Sequence, residues 1–160
     1  MEGAFEVFRL TSLSVGDRGP DGVAARYLAL MNRLTKNMPD TATVDDMIRY
    51  IKGSVESGFW VFGGFLGGVL VSVASVHTIS HAWAKIAWIE DVVTFPEHEG
   101  HRYSTRVLEH AEAFVREHFP ASLGLERVSR QMLTCSTVNQ PFYRNRGFVL
   151  RNEVVMQKDM

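Results

Sequence analysis

The chain has 160 residues and a formal net charge of −1, from 17 basic and 18 acidic side chains. That length suits one compact domain. The near-equal numbers of basic and acidic side chains do not favour the basic face that binding to nucleic acid or an anionic membrane requires. A single cysteine, Cys135, excludes an internal disulfide framework and favours a reducing, cytoplasmic location. The N-terminus has no basic patch followed by an apolar stretch, so we expect no signal peptide.

One strand and two helices are predicted before Gly58. A short strand covers about residues 5–10, where apolar side chains stand among polar ones. A helix follows Asp21, which can serve as its N-cap, and carries an apolar stripe at helical spacing. The stripe consists of Val23, Tyr27, Leu30, Met31 and Leu34. Thr43 and Asp46 are spaced as a capping pair for a second helix, which Gly58 would end.

Residues 59–76 contain no charged side chain and imitate a membrane span. Glycines interrupt the segment, and Ser72 and Ser75 alternate with apolar residues towards its end. Two strands joined by a Gly-Gly turn explain this pattern better than a helix does. The segment is also only marginally long enough to cross a bilayer. We therefore expect a β-hairpin and no membrane association.

Strands and helices alternate in the second half of the chain. The predicted elements are a strand over about residues 84–95, a helix from about Ser104, a strand over about 128–135, a short helix over about 140–146 and a final strand pair over 148–158. Antiparallel hairpins that feed a β-α unit predict a mixed, mostly antiparallel sheet with helices on both faces. The expected architecture is therefore α/β (α+β), in one domain over residues 1–160.

The loop between the apolar strand and the following helix could hold a pyrophosphate. First-turn amides of a helix have no intrahelical partner, and the helix dipole favours negative charge there. Gly100 and Ser104 are small enough for the backbone to approach a phosphate, and Arg102 could add a charge. The two histidines of the loop, His98 and His101, are loosely spaced for metal binding, and no further pair of metal ligands stands out in the sequence. No metal site is predicted.

A second motif occupies residues 139–148, between two predicted strands. Pro141 suits a first helical turn and Gly147 suits a left-handed C-cap. Tyr143 would then lie on a short helix beside the ends of the central strands. Its phenol is either a catalytic group or a packed side chain with a bonded hydroxyl.

Both segments resemble signatures of the GNAT superfamily of N-acetyltransferases. Residues 99–104 are similar to its acyl-CoA pyrophosphate loop, Arg/Gln-x-x-Gly-x-Gly/Ala, although Glu99 replaces the basic or amide residue and Arg102 a glycine. We expect Glu99 to face solvent. Residues 139–148 are similar to the superfamily's Asn-x-x-aromatic-Tyr-x-x-x-Gly-Phe. The resemblance implies a GNAT fold, acetyl-CoA as cosubstrate and Tyr143 as proton donor to the CoA thiolate. The cofactor-binding residues so implied are Val92, Val93, Thr94, Gly100, His101, Arg102, Tyr103, Ser104, Thr105, Asn139 and Tyr143.

Two adjacent acids, Glu90 and Asp91, stand between apolar runs of the same strand. Neighbouring strand residues point to opposite faces, so at least one carboxylate faces inward unless a bulge splays the strand. A buried carboxylate needs a hydrogen-bond or charge partner. The hydroxyls and ammonium of an amino sugar could provide it, and so could a structural salt bridge or a cap.

This window resembles the Glu-Asp-Val/Ile-(Val/Ala)-Val strand of the glucosamine-6-phosphate N-acetyltransferases. The resemblance implies acetyl transfer to D-glucosamine 6-phosphate, a step of UDP-GlcNAc biosynthesis, by a homodimer. The substrate-binding residues so implied are Thr35, His81, Lys85, Glu90, Asp91, Arg130 and Lys158, and the catalytic ones are Tyr143, Glu90 and Asp91. Thr134 replaces an acid of many members, which leaves the base for the amine open. His77 or His81 could be that base, although a strand histidine more often has a structural role.

Two alternatives remain on the sequence. A GNAT enzyme for another small amine or a protein N-terminus would share every feature except the Glu90-Asp91 window and a phosphate contact from Arg130. A non-catalytic acyl-CoA-binding domain would keep the fold and account for the departures at Glu99 and Arg102.

Overall fold

The computed structural model describes residues 3–11, 14–17, 19–54, 57–81, 85–118 and 130–151. Five strands and four α-helices lie within these ranges. In chain order they are β1 (Phe5–Arg9), α1 (Val23–Leu34), α2 (Val44–Ser54), β2 (Phe59–Leu66), β3 (Val69–Ser80), β4 (Lys85–Thr94), α3 (Tyr103–His118), β5 (Arg130–Leu133) and α4 (Gln140–Arg144). The predicted order of elements is confirmed for the part of the chain that is described.

The strands form one sheet in the order β1-β2-β3-β4-β5. The first four strands pair antiparallel, and β5 pairs with β4 in parallel. This confirms the mixed, mostly antiparallel sheet. The last pairing between β4 and β5 joins Ile89 to Leu133, so residues 90–94 of β4 have no partner in β5. The two strands therefore part at this point.

Each face of the sheet has its own hydrophobic core. Side chains alternate between the faces, so Val61 of β2 belongs to one cluster and Phe62 to the other. The first cluster contains the buried stripes of α1 and α2, and the second contains that of α3 and also Tyr143 of α4. Helices on both faces are thus confirmed.

The glycine-rich segment is a hairpin. Its strands β2 and β3 are joined by Gly67 and Gly68, whose φ angles of 56° and 85° suit a tight two-residue turn. The apolar character of the segment reflects burial on both faces of the sheet. None of the helices in the described ranges combines the length and apolar character that a membrane span needs.

The two predicted helix caps have different outcomes. Thr43 and Asp46 form the capping pair: the Thr43 amide donates to Asp46 Oδ2 (2.8 Å), and the Asp46 amide donates to Thr43 Oγ1 (3.2 Å). The cap by Asp21 is wrong, because Gly22 occupies the N-cap position of α1 without a side-chain cap. A Cβ at residue 22 would lie 2.3 Å from the Asp17 carbonyl oxygen, so the tight turn before α1 requires glycine there.

The last part of the chain is only partly described. Gly147, with a φ of 85°, ends the turn after α4 as expected. Residues 148–151 form no strand, which shortens the predicted final strand pair at its start. The remainder of that pair, with Lys158, lies outside the described residues.

Candidate active site

A cleft of about 720 Å³ opens where β4 and β5 part. Its walls are the end of β4, the loop and first turn of α3, the last turn of α1, and α4. All of the residues predicted to bind the cofactor line it except His101. His101 instead stacks on Tyr103, with ring centroids 5.5 Å apart, and its side chain is exposed.

A chain of three hydroxyls, of which those of Ser72 and Thr94 are buried, fixes the start of α3 to the sheet. Ser104 Oγ lies 2.6 Å from Thr94 Oγ1, which lies 2.7 Å from Ser72 Oγ. Ser72 also donates to the Val93 carbonyl at 3.2 Å. The first amides of α3 are therefore held against the end of β4, where an anionic group in the cleft would meet them.

The loop before α3 uses the left-handed backbone conformation twice. Gly100 has a φ of 83° and Arg102 a φ of 63°. A residue with a Cβ rarely adopts that conformation, at a cost of about 1–2 kcal/mol. This explains structurally why a glycine suits the position that Arg102 occupies. The arginine keeps the turn and brings a guanidinium to the wall of the cleft.

Glu99 is paired with a residue that the sequence analysis did not select. Its side chain is 61% exposed, as expected, and its Oε1 lies 3.4 Å from Arg33 Nη2. Arg33 stands in the last turn of α1 and lines the cleft. A second arginine thus reaches the cleft from another element, with a carboxylate beside it. The only local signal for Arg33 was a basic residue near the end of a helix.

Tyr143 stands at the inner wall of the cleft with 8% of its surface exposed. Its ring packs against those of Phe142 and Phe148, with centroids 5.0 and 5.8 Å away. Burial raises the pKa of the Tyr143 phenol, nearby Cys135 raises it further, and the Arg146 guanidinium lowers it. A phenol with a raised pKa is protonated at neutral pH, which is the state that a proton donor requires.

Arg146, in the turn directly after α4, links that turn to α3. Its guanidinium lies 3.2 Å from Glu112 and 3.6 Å from Glu109, and its side chain is 11% exposed. These ion pairs connect the helix that carries Tyr143 to the helix whose first turn lines the cleft. The arrangement fixes the phenol relative to the loop.

A β-bulge decides the position of the two adjacent acids. Ser75 pairs with Glu90 and Val73 with Val93, so two residues of β4 lie opposite one residue of β3. Asp91, at the bulge, has a φ of 53°. The bulge is thus the alternative that the sequence analysis left open, and neither carboxylate is fully buried.

Both acids have partners on β3. Asp91 Oδ2 accepts a hydrogen bond of 2.7 Å from the Ser75 hydroxyl. Glu90 Oε2 lies 3.0 Å from His77 Nε2. These contacts hold the carboxylates beside the end of β4 that borders the cleft. The sequence offered His77 as a possible base or a structural strand histidine but did not reveal its partner Glu90, because that contact depends on strand register.

Tyr27 of α1 and Tyr50 of α2 lie near the two acids of the bulge. Burial, together with Tyr50 and the Asp91 carboxylate, raises the pKa of Tyr27, and burial, together with Asp91 and Glu90, raises that of Tyr50. Tyr50 is 42% exposed, whereas the Tyr27 hydroxyl is buried. The acids of the bulge thus face protonated phenols.

The other residues predicted to bind substrate are distributed over two places. Thr35 follows the cleft-lining Leu34 at the C-cap of α1, and its Oγ1 accepts from the Asn37 amide at 3.0 Å. Lys85, buried at 1% exposure, begins β4 six residues before Asp91, which along a strand is about 20 Å. Arg130 pairs with Ile86 at that same end of β4, and His81 follows β3 there. Lys158 is outside the described residues.

The model of the acetyltransferase (GNAT) family matches residues 27–148, more than half of the chain. This chain belongs to the GNAT acetyltransferase family. As a GNAT protein it has acetyl-CoA-dependent acetyl transfer as its chemistry, and the cleft suits that cofactor. A loop with a left-handed glycine, a first helical turn that lines the cleft and two arginines fits a pyrophosphate. Within the described ranges no three His, Cys, Asp or Glu side chains are grouped as a metal would need.

Solved structures share this GNAT fold at low sequence identity. An acetyltransferase of Trypanosoma brucei is 18% identical, with a TM-score of 0.73 over 98% of this chain and 100% of its own. The glucosamine-6-phosphate N-acetyltransferase of Arabidopsis thaliana is 18% identical, with a TM-score of 0.75 over 98% of each chain. A predicted acetyltransferase with acetyl-CoA from Clostridium acetobutylicum is 12% identical, with a TM-score of 0.71 over 97% of this chain and 96% of its own. No curated protein sequence matches the chain.

Proposed function

We propose that this GNAT enzyme transfers the acetyl group of acetyl-CoA to the amine of D-glucosamine 6-phosphate, giving N-acetylglucosamine 6-phosphate. The observation that carries the proposal is the bulge that holds Glu90 and Asp91 beside a cleft lined by Tyr143. Two carboxylates at that place suit the hydroxyls and the ammonium of an amino sugar. The window also resembles the strand of the glucosamine-6-phosphate enzymes, and the Arabidopsis enzyme shares the fold.

In this proposal the loop and the strand hold acetyl-CoA at its two ends. The amides of residues 100–105, with Arg102 and Arg33, would bind the pyrophosphate. Residues 90–94 have no β5 partner, so their amides on the cleft side can bind the pantetheine and the thioester carbonyl. Acetyl-CoA supplies the activated acyl group. One amide donor aimed at the developing oxyanion lowers the activation free energy by about 3 kcal/mol.

The acceptor amine would attack the thioester directly, without an acyl-enzyme. Glu90 and Asp91 would position the sugar, Thr35 would bind its phosphate, and Lys158 would contribute from the chain end. Tyr143 would give its proton to the departing thiolate, an effect of about 10²–10⁴-fold. A homodimer would complete the site.

The test is a CoA-release assay with acetyl-CoA and matched acceptors. We expect release with glucosamine 6-phosphate and much less with glucosamine, because the phosphate contact is lost. Release with glucosamine equal to that with its phosphate would contradict the phosphate contact. Analytical ultracentrifugation with and without acetyl-CoA tests the homodimer, and a monomer under both conditions would reject it.

One observation favours a second acceptor class. The basic residues Lys85 and Arg130 lie towards the start of β4, about 20 Å and about 16 Å along the strand from the bulge. An amine without a phosphate, such as a polyamine, an antibiotic or a protein N-terminus, would use the carboxylates of the bulge but not these residues. A panel of such amines in the same assay separates the two classes. Acetyl-CoA binding by calorimetry without release on any amine would indicate a non-catalytic acyl-CoA-binding domain.

A further inference from the structure

A histidine and a glutamate on adjacent strands form a pair beside the bulge. His77 Nε2 and Glu90 Oε2 are 3.0 Å apart, and the two side chains are 40% and 46% exposed. The His77 ring stacks on buried Phe59, with centroids 4.1 Å apart and planes 28° from parallel. The ring of Tyr50 in α2 meets the Phe59 ring edge-on, with centroids 5.2 Å apart. The imidazole is therefore held in one orientation while remaining accessible.

The hydrogen bond to Glu90 determines what the other ring nitrogen can do. When Nε2–H donates to the carboxylate, the neutral imidazole carries its lone pair on Nδ1. Nδ1 has no hydrogen-bond partner among the described residues. The same division of roles occurs wherever a carboxylate orients a histidine that acts as a base.

The pair also adjoins the end of β4 that borders the cleft, although neither side chain is among those that line it. Glu90 is the first residue of β4 beyond the last pairing with β5, and it pairs with Ser75 next to the bulge. An acyl group lying along residues 90–94 would present its carbonyl at this part of the strand. In the described part of the chain, the ionisable groups on this face near His77 are Glu90, which contacts it, and, further away, Asp91, Tyr50 and Tyr27.

We propose that His77, oriented by Glu90, is the base that removes a proton from the acceptor ammonium. The inference rests on the proposed acetyl transfer but not on which amine is the acceptor. An alkyl amine with a pKa near that of lysine is neutral in only about one molecule in 10³ at pH 7. Because only the neutral amine is a nucleophile, a base beside the thioester raises the rate.

In the proposed reaction His77 takes up one proton and Tyr143 transfers another. One ammonium proton passes to His77 Nδ1 and then to solvent. The nitrogen lone pair forms the C–N bond, the C–S bond breaks, and the sulfur leaves with its electron pair. The Tyr143 phenol protonates the thiolate, and the second proton of the attacking nitrogen restores the phenol. The products are the amide, free CoA and one proton.

The test compares His77→Gln with wild type across pH, using the amine on which wild type is most active. We expect kcat/KM for the amine to fall about 10²–10⁴-fold at pH 7, with the KM for acetyl-CoA unchanged. The deficit should shrink as the pH rises towards the pKa of the amine, because solvent then supplies the neutral nucleophile. A merely structural role would leave the deficit independent of pH.

Two further variants serve as controls. Glu90→Gln keeps a hydrogen-bonding group but removes the charge, so we expect a smaller loss than that of His77→Gln, about 10-fold to 10²-fold. His118→Gln changes an exposed histidine at the end of α3, which stacks on Phe114 away from the cleft, and should keep full activity. The Tm of each variant and its acetyl-CoA affinity show that it is folded.

The outcomes distinguish this inference from the proposed function. If wild type releases CoA with no amine of the panel, both are overturned. If wild type is active and His77→Gln keeps its kcat/KM within about twofold at pH 7, only the role of His77 is overturned, and a deficit that is constant with pH has the same consequence. A large deficit at pH 7 that is relieved at high pH supports the proposal.

Discussion

The hydroxyl chain between β4 and α3 gives the sharpest prediction for stability and cofactor affinity together. Thr94→Val replaces a hydroxyl by a methyl of nearly the same shape in a residue that is 7% exposed. It removes the contacts of 2.6 Å to Ser104 and 2.7 Å to Ser72. Ser72 keeps its bond to the Val93 carbonyl, so the Ser104 hydroxyl is the group left without its protein partner.

The magnitude follows from these two hydrogen bonds. Each contributes about 1 kcal/mol net to folding, and the added buried methyl returns about 0.8 kcal/mol. We therefore expect Thr94→Val to lower the free energy of unfolding by about 1–1.5 kcal/mol, and Tm by about 2–6 °C. Because Ser104 lies in the first turn of α3, acetyl-CoA affinity should also fall, by about threefold to tenfold.

Urea unfolding and calorimetry with acetyl-CoA measure the two effects on Thr94→Val. Thr94→Ser is the matched control, since it keeps the hydroxyl and removes only the methyl. It should retain the acetyl-CoA affinity of wild type. An unchanged affinity in Thr94→Val would refute the reasoning that this chain of hydroxyls places the helix amides for the cofactor. An unfolding free energy within about 0.3 kcal/mol of wild type would refute its role in stability as well.

The remaining predictions concern the proton donor, the loop and a helix cap. Tyr143→Phe should lower kcat about 10²–10⁴-fold in the CoA-release assay, and full activity across pH 6.5–9, a range set by ordinary side-chain pKa values of about 6.5–10, would refute the donor role. Since burial raises the pKa of this phenol above its ordinary 10.0, wild type should lose no activity below that pH through its deprotonation. Glu99→Gln should tighten acetyl-CoA binding about twofold to fivefold at low salt, because it removes a negative charge beside Arg33, and calorimetry that shows weaker binding would count against this. Asp46→Ala should lower Tm at neutral pH. The Thr43 hydrogen bonds hold the Asp46 pKa below its ordinary 3.8, so thermal melts at decreasing pH should show this difference vanish as the pH falls through the lowered pKa.

Predictions that depended on neighbours in the chain were confirmed. The Thr43–Asp46 cap and the turn at Gly67 and Gly68 each follow from residues within a few positions of one another. Local backbone geometry then leaves few alternatives. The same reasoning was wrong for Asp21. Gly22 is the N-cap of α1 instead, because the chain there passes too close to the Asp17 carbonyl for a side chain.

Strand register decided the position and the contacts of the two adjacent acids. The sequence required one inward carboxylate or a bulge at Glu90 and Asp91, and it had no means of choosing between them. The pairing of β3 with β4 made the choice and gave the acids their partners, Ser75 and His77. Register depends on packing on both faces of the sheet, which no short window contains.

The sequence by itself indicated the two segments that line the cleft, since the loop before α3 and the turn of α4 carry their own signals. Only the tertiary structure decided which groups stand together around the cleft. Arg33 meets Glu99 although they are 66 positions apart, and Thr94 joins Ser72 and Ser104 from three separate elements. Such contacts arise when helices dock on both faces of a sheet, and docking is determined by the burial of the whole apolar core.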